Sequence, residues 1–211
     1  MTAAVGTEEY AANLALGHLG LPEIAAMSDT TTRARCMRKF FALARDELLR
    51  EKPWNFATAW VTPALDPVPG SGDLKLRYPL PDDCLRVRYI KGDNRREWAV
   101  ESGQASVGGV AVEAMVLVTN IAQPSVCCTR RIEAVRLWDP IFLSGFGHLL
   151  ASYGATQLGK SQSWSDSQRA LAMDRISTGA SIDAKESRPS QCSRPETSWV
   201  MARRGGGRSY R

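Results

Sequence analysis

Residues 154–161 read GATQLGKS and satisfy GxxxxGK[S/T], the spacing in which backbone N–H groups cradle phosphates and a lysine reaches them. That chemistry requires a buried strand before the loop and a helix opening at its Lys-Ser, so that the helix N-terminus faces the phosphates. The preceding residues, IFLSGFGHLLASY, carry a helical period and almost no β-branched side chains. No apolar strand ending in an aspartate for magnesium follows. ALAMD (170–174) sits too close and continues a helical stripe. The stretch therefore reads as the end of a helix, with Gly159 as its C′ residue and Lys160 favourably placed for the dipole.

Other groups that could do chemistry fare no better. The two histidines, His18 and His148, are each flanked by apolar residues on predicted helices and read as packed or solvent-touching. Asp82-Asp83 follows a proline and reads as a turn. Asp183 and Glu186, with Lys185 between them, read as an ordinary solvated helix face. The five cysteines (Cys36, Cys84, Cys127, Cys128 and Cys192) are odd in number, without CxxC spacing. They indicate neither a disulfide framework nor a zinc site, but reduced thiols of a cytosol. No catalytic residue, metal ligand or cofactor-binding residue is assigned, and a non-enzymatic protein is expected.

The elements that would position any site follow from length and pattern. The chain has 211 residues, 44% hydrophobic and 23% charged, enough for a real core. Its net charge of +5 lies entirely in the last 24 residues, where six arginines stand against one acid, Glu196, so that the rest is neutral. The N-terminus places Glu8 and Glu9 where a signal peptide needs cations. The uncharged run at 140–159 is long, but its apolar content is too low for a membrane span.

A first helix is predicted over 8–19 with Thr7 as N-cap, stopped at Gly20. A second, over 31–51, carries Met37, Phe40, Phe41, Ala44 and Leu48 on one stripe, leaves Arg35, Arg38, Arg45 and Arg50 largely outside it, and ends at Pro53. Residues 54–134 read as short antiparallel strands. In LRVRY, strict alternation places Leu85, Val87 and Tyr89 on one face, and VAVEAMVLVT (110–119) is a further strand. Asp139-Pro140 then opens a third helix, striped by Phe142, Phe146, Leu149, Leu150 and Tyr153, with small residues between them that let a neighbour come close. A fourth is predicted from about Ser165 through Leu171, Ala172, Ile176 and Ile182. Beyond Arg188 there is no periodicity. The fold class is thus α+β: an antiparallel helical bundle from the N- and C-terminal helices, with an inserted small antiparallel β domain and an extended tail. The segments are 1–52 (helical), 53–133 (β), 134–188 (helical) and 189–211 (arginine-rich tail).

Taken in order, LALGHLGLPEI, ARDELLREKPWNFATAW, RYPLPDDCLRVRYI, LWDPIFLSGFGHLLASYGA and SWVMARR resemble the head-to-tail adaptor family of short-tailed bacteriophages, the tail tubular proteins of the inner ring. The resemblance covers nearly the whole chain. It departs in the glycine content of GFGHLLASYGA and in the longer arginine-rich end. It implies a structural virion protein at the head–tail junction, assembled in the host cytoplasm as a twelvefold homo-oligomeric ring under the portal protein. The lumen of such a ring passes genomic DNA without sequence-specific binding, and its lower surface receives the tail nozzle and tail fibres.

On that resemblance, Trp54 and Phe56 clamp the helical and β domains where one gives way to the other. The tail binds the portal or a neighbouring subunit. Trp199 and Met201 act as buried anchors, Arg203, Arg204 and Arg208 pair with carboxylates, and Arg194 and Tyr210 flank them. Composition alone reads the same tail as a solvated end. Two other functions stay open: a nucleic-acid-binding protein using the arginine tail as a phosphate-binding arm, and a phosphate-loop nucleotide hydrolase.

Overall fold

A computed structural model describes residues 3–70, 72–92, 97–107 and 110–186. These form four helices and two three-stranded antiparallel sheets, a mixed α+β architecture. Helix α1 (Glu8–His18) starts where Thr7 Oγ1 accepts from the Tyr10 N–H at 3.2 Å. Helix α2 (Thr32–Glu51) starts the same way, with Thr31 Oγ1 accepting from Ala34 N–H. Met37, Phe41, Ala44 and Leu48 of its stripe are buried and Phe40 is half-buried. One predicted position differs. Arg45 is buried, because it lies four residues past Phe41 on the stripe's edge, and its guanidinium meets Asp46 at 2.8 Å and Glu133 at 3.7 Å.

Strands β1 (Thr58–Val61), β6 (Val126–Arg130) and β3 (Cys84–Ile90) make one sheet in that order. Strands β2 (Leu76–Pro79), β5 (Val110–Thr119) and β4 (Trp98–Val107) make the other. Val87, Ile90 and Val126 of the first sheet and Tyr78 and Leu117 of the second share one buried cluster, completed by Leu80. The expected alternation in β3 fails at two register shifts, between Cys84 and Arg86 and between Val87 and Tyr89. Each inserts an extra residue and turns the following side chain. Leu85 therefore packs on the helical core, Val87 enters the sheet-to-sheet cluster, and Tyr89 is exposed.

Helix α3 (Pro140–Gly154) is capped by Asp139, whose carboxylate accepts from Ile141 and Phe142 N–H at 2.7 and 3.2 Å. Helix α4 (Gln162–Glu186) begins three residues before the predicted Ser165, because Ser161 Oγ caps Trp164 N–H. Its buried side is Ala172, Ile176, Gly179 and Asp183. Leu171 and Ile182, predicted for the stripe, are exposed. Two small residues inside let α4 lie close to its neighbours, so the larger apolar side chains fall outside the contact. No helix among the described residues is long and apolar enough to cross a membrane.

All three other helices pack on α3, each at a glycine. An added Cβ at Gly145 would stand 2.7 Å from Ile176 Cδ1 of α4, at Gly147 3.3 Å from Leu14 Cβ of α1, and at Gly154 2.9 Å from Met37 Cε of α2. At Gly179 of α4 it would meet Ile141 Cγ2 at 2.8 Å and Trp54 Cη2 at 3.1 Å. Gly179→Val should therefore lower unfolding stability by about 1–3 kcal/mol through overpacking. Gly17→Ala, with open space around it, should raise stability by up to about 1 kcal/mol. Urea denaturation of the two variants beside the parent chain measures both.

Candidate functional site

The described residues that tie helices to sheets converge just after Pro53. Lys52 leaves α2 in an extended conformation, as the proline demands, and the Trp54 side chain turns into the helical core with no exposed surface. Its Nε1–H donates to the Leu48 carbonyl at 3.3 Å. Its ring meets Phe142 edge-on at 5.2 Å and Phe56 at 5.8 Å, and Phe56 meets Phe142 at 5.2 Å. Both aromatics assigned from the sequence thus pack with α3, immediately before β1 begins at Thr58. Between them, Asn55 N–H donates to the Asp183 carboxylate at 2.8 Å, and Asn55 Nδ2 donates to the Asp183 carbonyl at 2.6 Å. Asp183 is therefore no solvated helix face. It is buried, and burial lifts its carboxyl above the ordinary aspartate range against the opposing pull of the Asn55 N–H.

A second tie lies at the C-terminus of α2, whose last carbonyls lack helical partners. Arg88 Nη2 donates to the carbonyls of Leu49, Arg50 and Lys52 at 3.2, 3.1 and 2.7 Å, and its Nε donates to Thr129 Oγ1 at 2.7 Å. Arg86 Nη1 adds a bond to the Arg50 carbonyl at 3.0 Å, and Arg50 Nη1 donates back to the Leu85 carbonyl. Cations at a helix C-terminus also oppose its dipole. Sequence reading missed this tie. Its one signal was arginine at alternate positions of LRVRY, facing the end of an arginine-bearing helix.

The stretches weighed for chemistry take definite places. Gly154 is the last residue of α3, and the chain keeps winding to Leu158, where Gly159, at φ +84°, reverses it. Lys160 N–H reaches the Ala155 carbonyl at 2.8 Å and Gly159 N–H the Thr156 carbonyl at 3.3 Å, the two bonds of a glycine C-cap. A helix thus enters GATQLGKS where a phosphate loop needs a strand. The histidines stack on one another, ring centroids 3.9 Å apart, and His148 Nδ1 lies 2.8 Å from Gln168 Oε1. Burial, with His148 beside it, lowers the His18 pKa below the ordinary value. The thiols of Cys84 and Cys128 are hydrogen-bonded across β3 and β6. That bond, with burial, holds Cys84 well above the ordinary thiol range and protonated. Among the described residues, Cys36, Cys84, Cys127 and Cys128 are free, and no group of histidine, cysteine, aspartate or glutamate could hold a metal. Arg194, Trp199, Met201, Arg203, Arg204, Arg208 and Tyr210 lie outside the described residues.

No protein-family model matches this chain, and no curated protein matches its sequence.

Two outcomes follow from this geometry. Arg88→Ala would leave the Leu49 and Lys52 carbonyls without their charged donor, with Arg86 still bonded to that of Arg50, and should cost about 1.5–3 kcal/mol. Arg88→Lys should recover little of it, because an ammonium cannot hold the guanidinium's spread of contacts. Chemical denaturation reads both. The His18 pKa is lower in the folded chain than in the unfolded one, so the unfolded chain binds more protons between the two values. Its stabilising contribution is complete above the ordinary value of 6.5 and is lost as pH falls through 6.5 towards the folded value. The melting temperature should fall between pH 7.5 and 5.5 more in the parent chain than in His18→Gln.

Proposed function

We propose that this chain is a head-to-tail adaptor: a structural protein that forms a ring beneath a viral portal, extends the DNA channel and receives the tail nozzle or fibres. The observation that carries the reading is the ordered set of motifs and where its members lie. LALGHLGLPEI, ARDELLREKPWNFATAW and LWDPIFLSGFGHLLASYGA, scattered over 142 residues of chain, contribute to one helical core. RYPLPDDCLRVRYI belongs to the strands. In the finer form of the reading the helices are an antiparallel bundle built from the two ends of the chain, and the strands are a domain inserted into it. Trp54 and Phe56 are the clamp between them. The near-neutral body suits a channel through which DNA must slide, and the arginine-rich tail is the portal-binding or neighbour-binding arm, anchored by Trp199 and Met201 and ordered by its partner.

Native mass spectrometry of the chain, alone and mixed with the portal ring of its own virus, tests the reading. A small species alone and about twelve copies on the portal is the expected result, and removing residues 189–211 should weaken the complex. Absence of portal binding at both low and moderate salt sinks the adaptor reading. Salt-sensitive DNA binding that disappears with the same deletion, without portal affinity, would instead make the tail a phosphate-binding arm.

A further inference from the structure

The neutrality of the body hides one concentration of positive charge, on the outer face of the β1–β6–β3 sheet. Residues directly opposite in an antiparallel pair share a face. Trp60 of β1 and Tyr89 of β3 both stand opposite Cys127, and Arg86 stands opposite Thr129, two residues along β6. Val61, Val87 and Ile90 belong to the cluster on the other side of the sheet. Lys91 follows Ile90 and returns to the outer face, its N–H continuing the ladder to the Ser125 carbonyl. Arg88 joins this face through the bond from its Nε to Thr129 Oγ1. The end of α2 meets the same face at Arg86 and Arg88 and brings Arg50 and Lys52 to it. Glu51, 3.9 Å from Lys52, is the acid among these five cations. Their density is felt at Arg88, where burial first, and then the charges of Arg86 and Arg50, lower the guanidinium pKa against Cys127 and Glu51.

Two aromatic rings lie within this charge. Along the chain the order is Arg86, Tyr89, Lys91, so cations stand on both sides of Tyr89, and Trp60 lies beside it. The rings meet edge to face, with centroids 5.2 Å apart, and Trp60 and Tyr89 are 49% and 48% exposed. Beneath them Cys127 is buried, and its thiol is hydrogen-bonded to the Tyr89 side chain, which holds that ring on the sheet. Arg50, Arg86 and Lys91 are exposed as well. The apolar core of the sheets lies on the opposite face, so the open half of each ring takes no part in it. An edge-to-face pair leaves ring faces free for a further planar group.

We infer that this face binds single-stranded nucleic acid, its bases stacking on Trp60 and Tyr89 and its phosphates held by Lys91, Arg86 and Arg50. The pattern of the face selects the ligand. Planar apolar groups strung along a chain of negative charges are what aromatic rings flanked by cations receive. Duplex DNA, whose bases are already stacked on one another, offers this face its phosphates alone and is the weaker ligand. Arg88 is committed to the α2 carbonyls and takes no phosphate. The inference needs neither the ring nor the arginine-rich tail, and concerns a surface to which the adaptor reading gives no role.

The test uses the full-length chain and an oligothymidylate of about 12 nucleotides. Ultraviolet crosslinking followed by mass spectrometry should place the oligonucleotide on the peptides that carry Trp60 or Tyr89. Trp60→Leu should weaken binding at least about fivefold, the loss of one stacked base. Lys91→Gln should lower the slope of log K against log salt by about 0.7, the share of one phosphate of a single strand. Lys91 is exposed, so this variant keeps the measurement open if Trp60→Leu loosens the sheet, and melting temperatures are read for both. A duplex of the same length should bind more weakly than the single strand. Crosslinks confined to residues 189–211, with both variants binding like the parent, would make the tail the binding element and overturn the inference. Failure to bind the oligonucleotide at low salt would overturn it too. Neither result bears on portal binding, so the adaptor reading is judged separately.

Discussion

Everything else in this molecule depends on how closely three helices approach α3. An added β-carbon would stand under 3 Å from Ile176 Cδ1 at Gly145 and from Met37 Cε at Gly154, and 3.3 Å from Leu14 Cβ at Gly147, so at each glycine the neighbour would have to give way. Three glycines in a fifteen-residue helix cost roughly 1 kcal/mol each in helix propensity. Dense contact along α1, α2 and α4 offsets that cost, since dispersion falls off steeply with any gap. The arrangement makes the two ends of the chain interdependent. α1 and α2 come from the first quarter, α3 and α4 from the last third, and neither pair has a complete core alone.

Closing the helices on α3 fixes where the strands can begin. The chain leaves α2 at Pro53, sends Trp54 into the core against Phe142, and bonds Asn55 to Asp183 before β1 starts. Arg88 then returns from the sheet to the carbonyl end of the same helix. The ties lie on either side of Pro53, one holding the chain as it enters the strands and the other holding a strand that returns. A load on the sheets is thereby passed to the helices through a charged hydrogen-bond cluster and a buried aromatic cluster.

Local chemistry was the most legible part of the sequence. Thr7 and Asp139 cap the helices they were read to cap, and Gly159 reverses the chain after α3, because a cap is decided by a few adjacent residues. Strand 110–119 was legible from its valines. Arg45, Asp183 and Tyr89 were not. Asp183 is a buried polar group whose partner, Asn55, lies far along the chain, and Arg45 meets Glu133 from a distant segment besides its neighbour Asp46; no periodicity announces such contacts. Tyr89 was misplaced by two bulges, which change the face of a strand without changing its composition. Of the candidate site, Trp54 and Phe56 could be read from the helix stop at Pro53. Arg88 could not, since its role exists only once β3 lies beside the end of α2.

An electron cryomicroscopy reconstruction, without imposed symmetry, of the portal ring incubated with the full-length chain tests the adaptor proposal most directly. One continuous ring of about twelve copies coaxial with the portal is expected, each copy showing helices and strands joined at Trp54 and Arg88, around an open lumen. A bare portal, or chains bound at scattered positions with no closed ring, would contradict it.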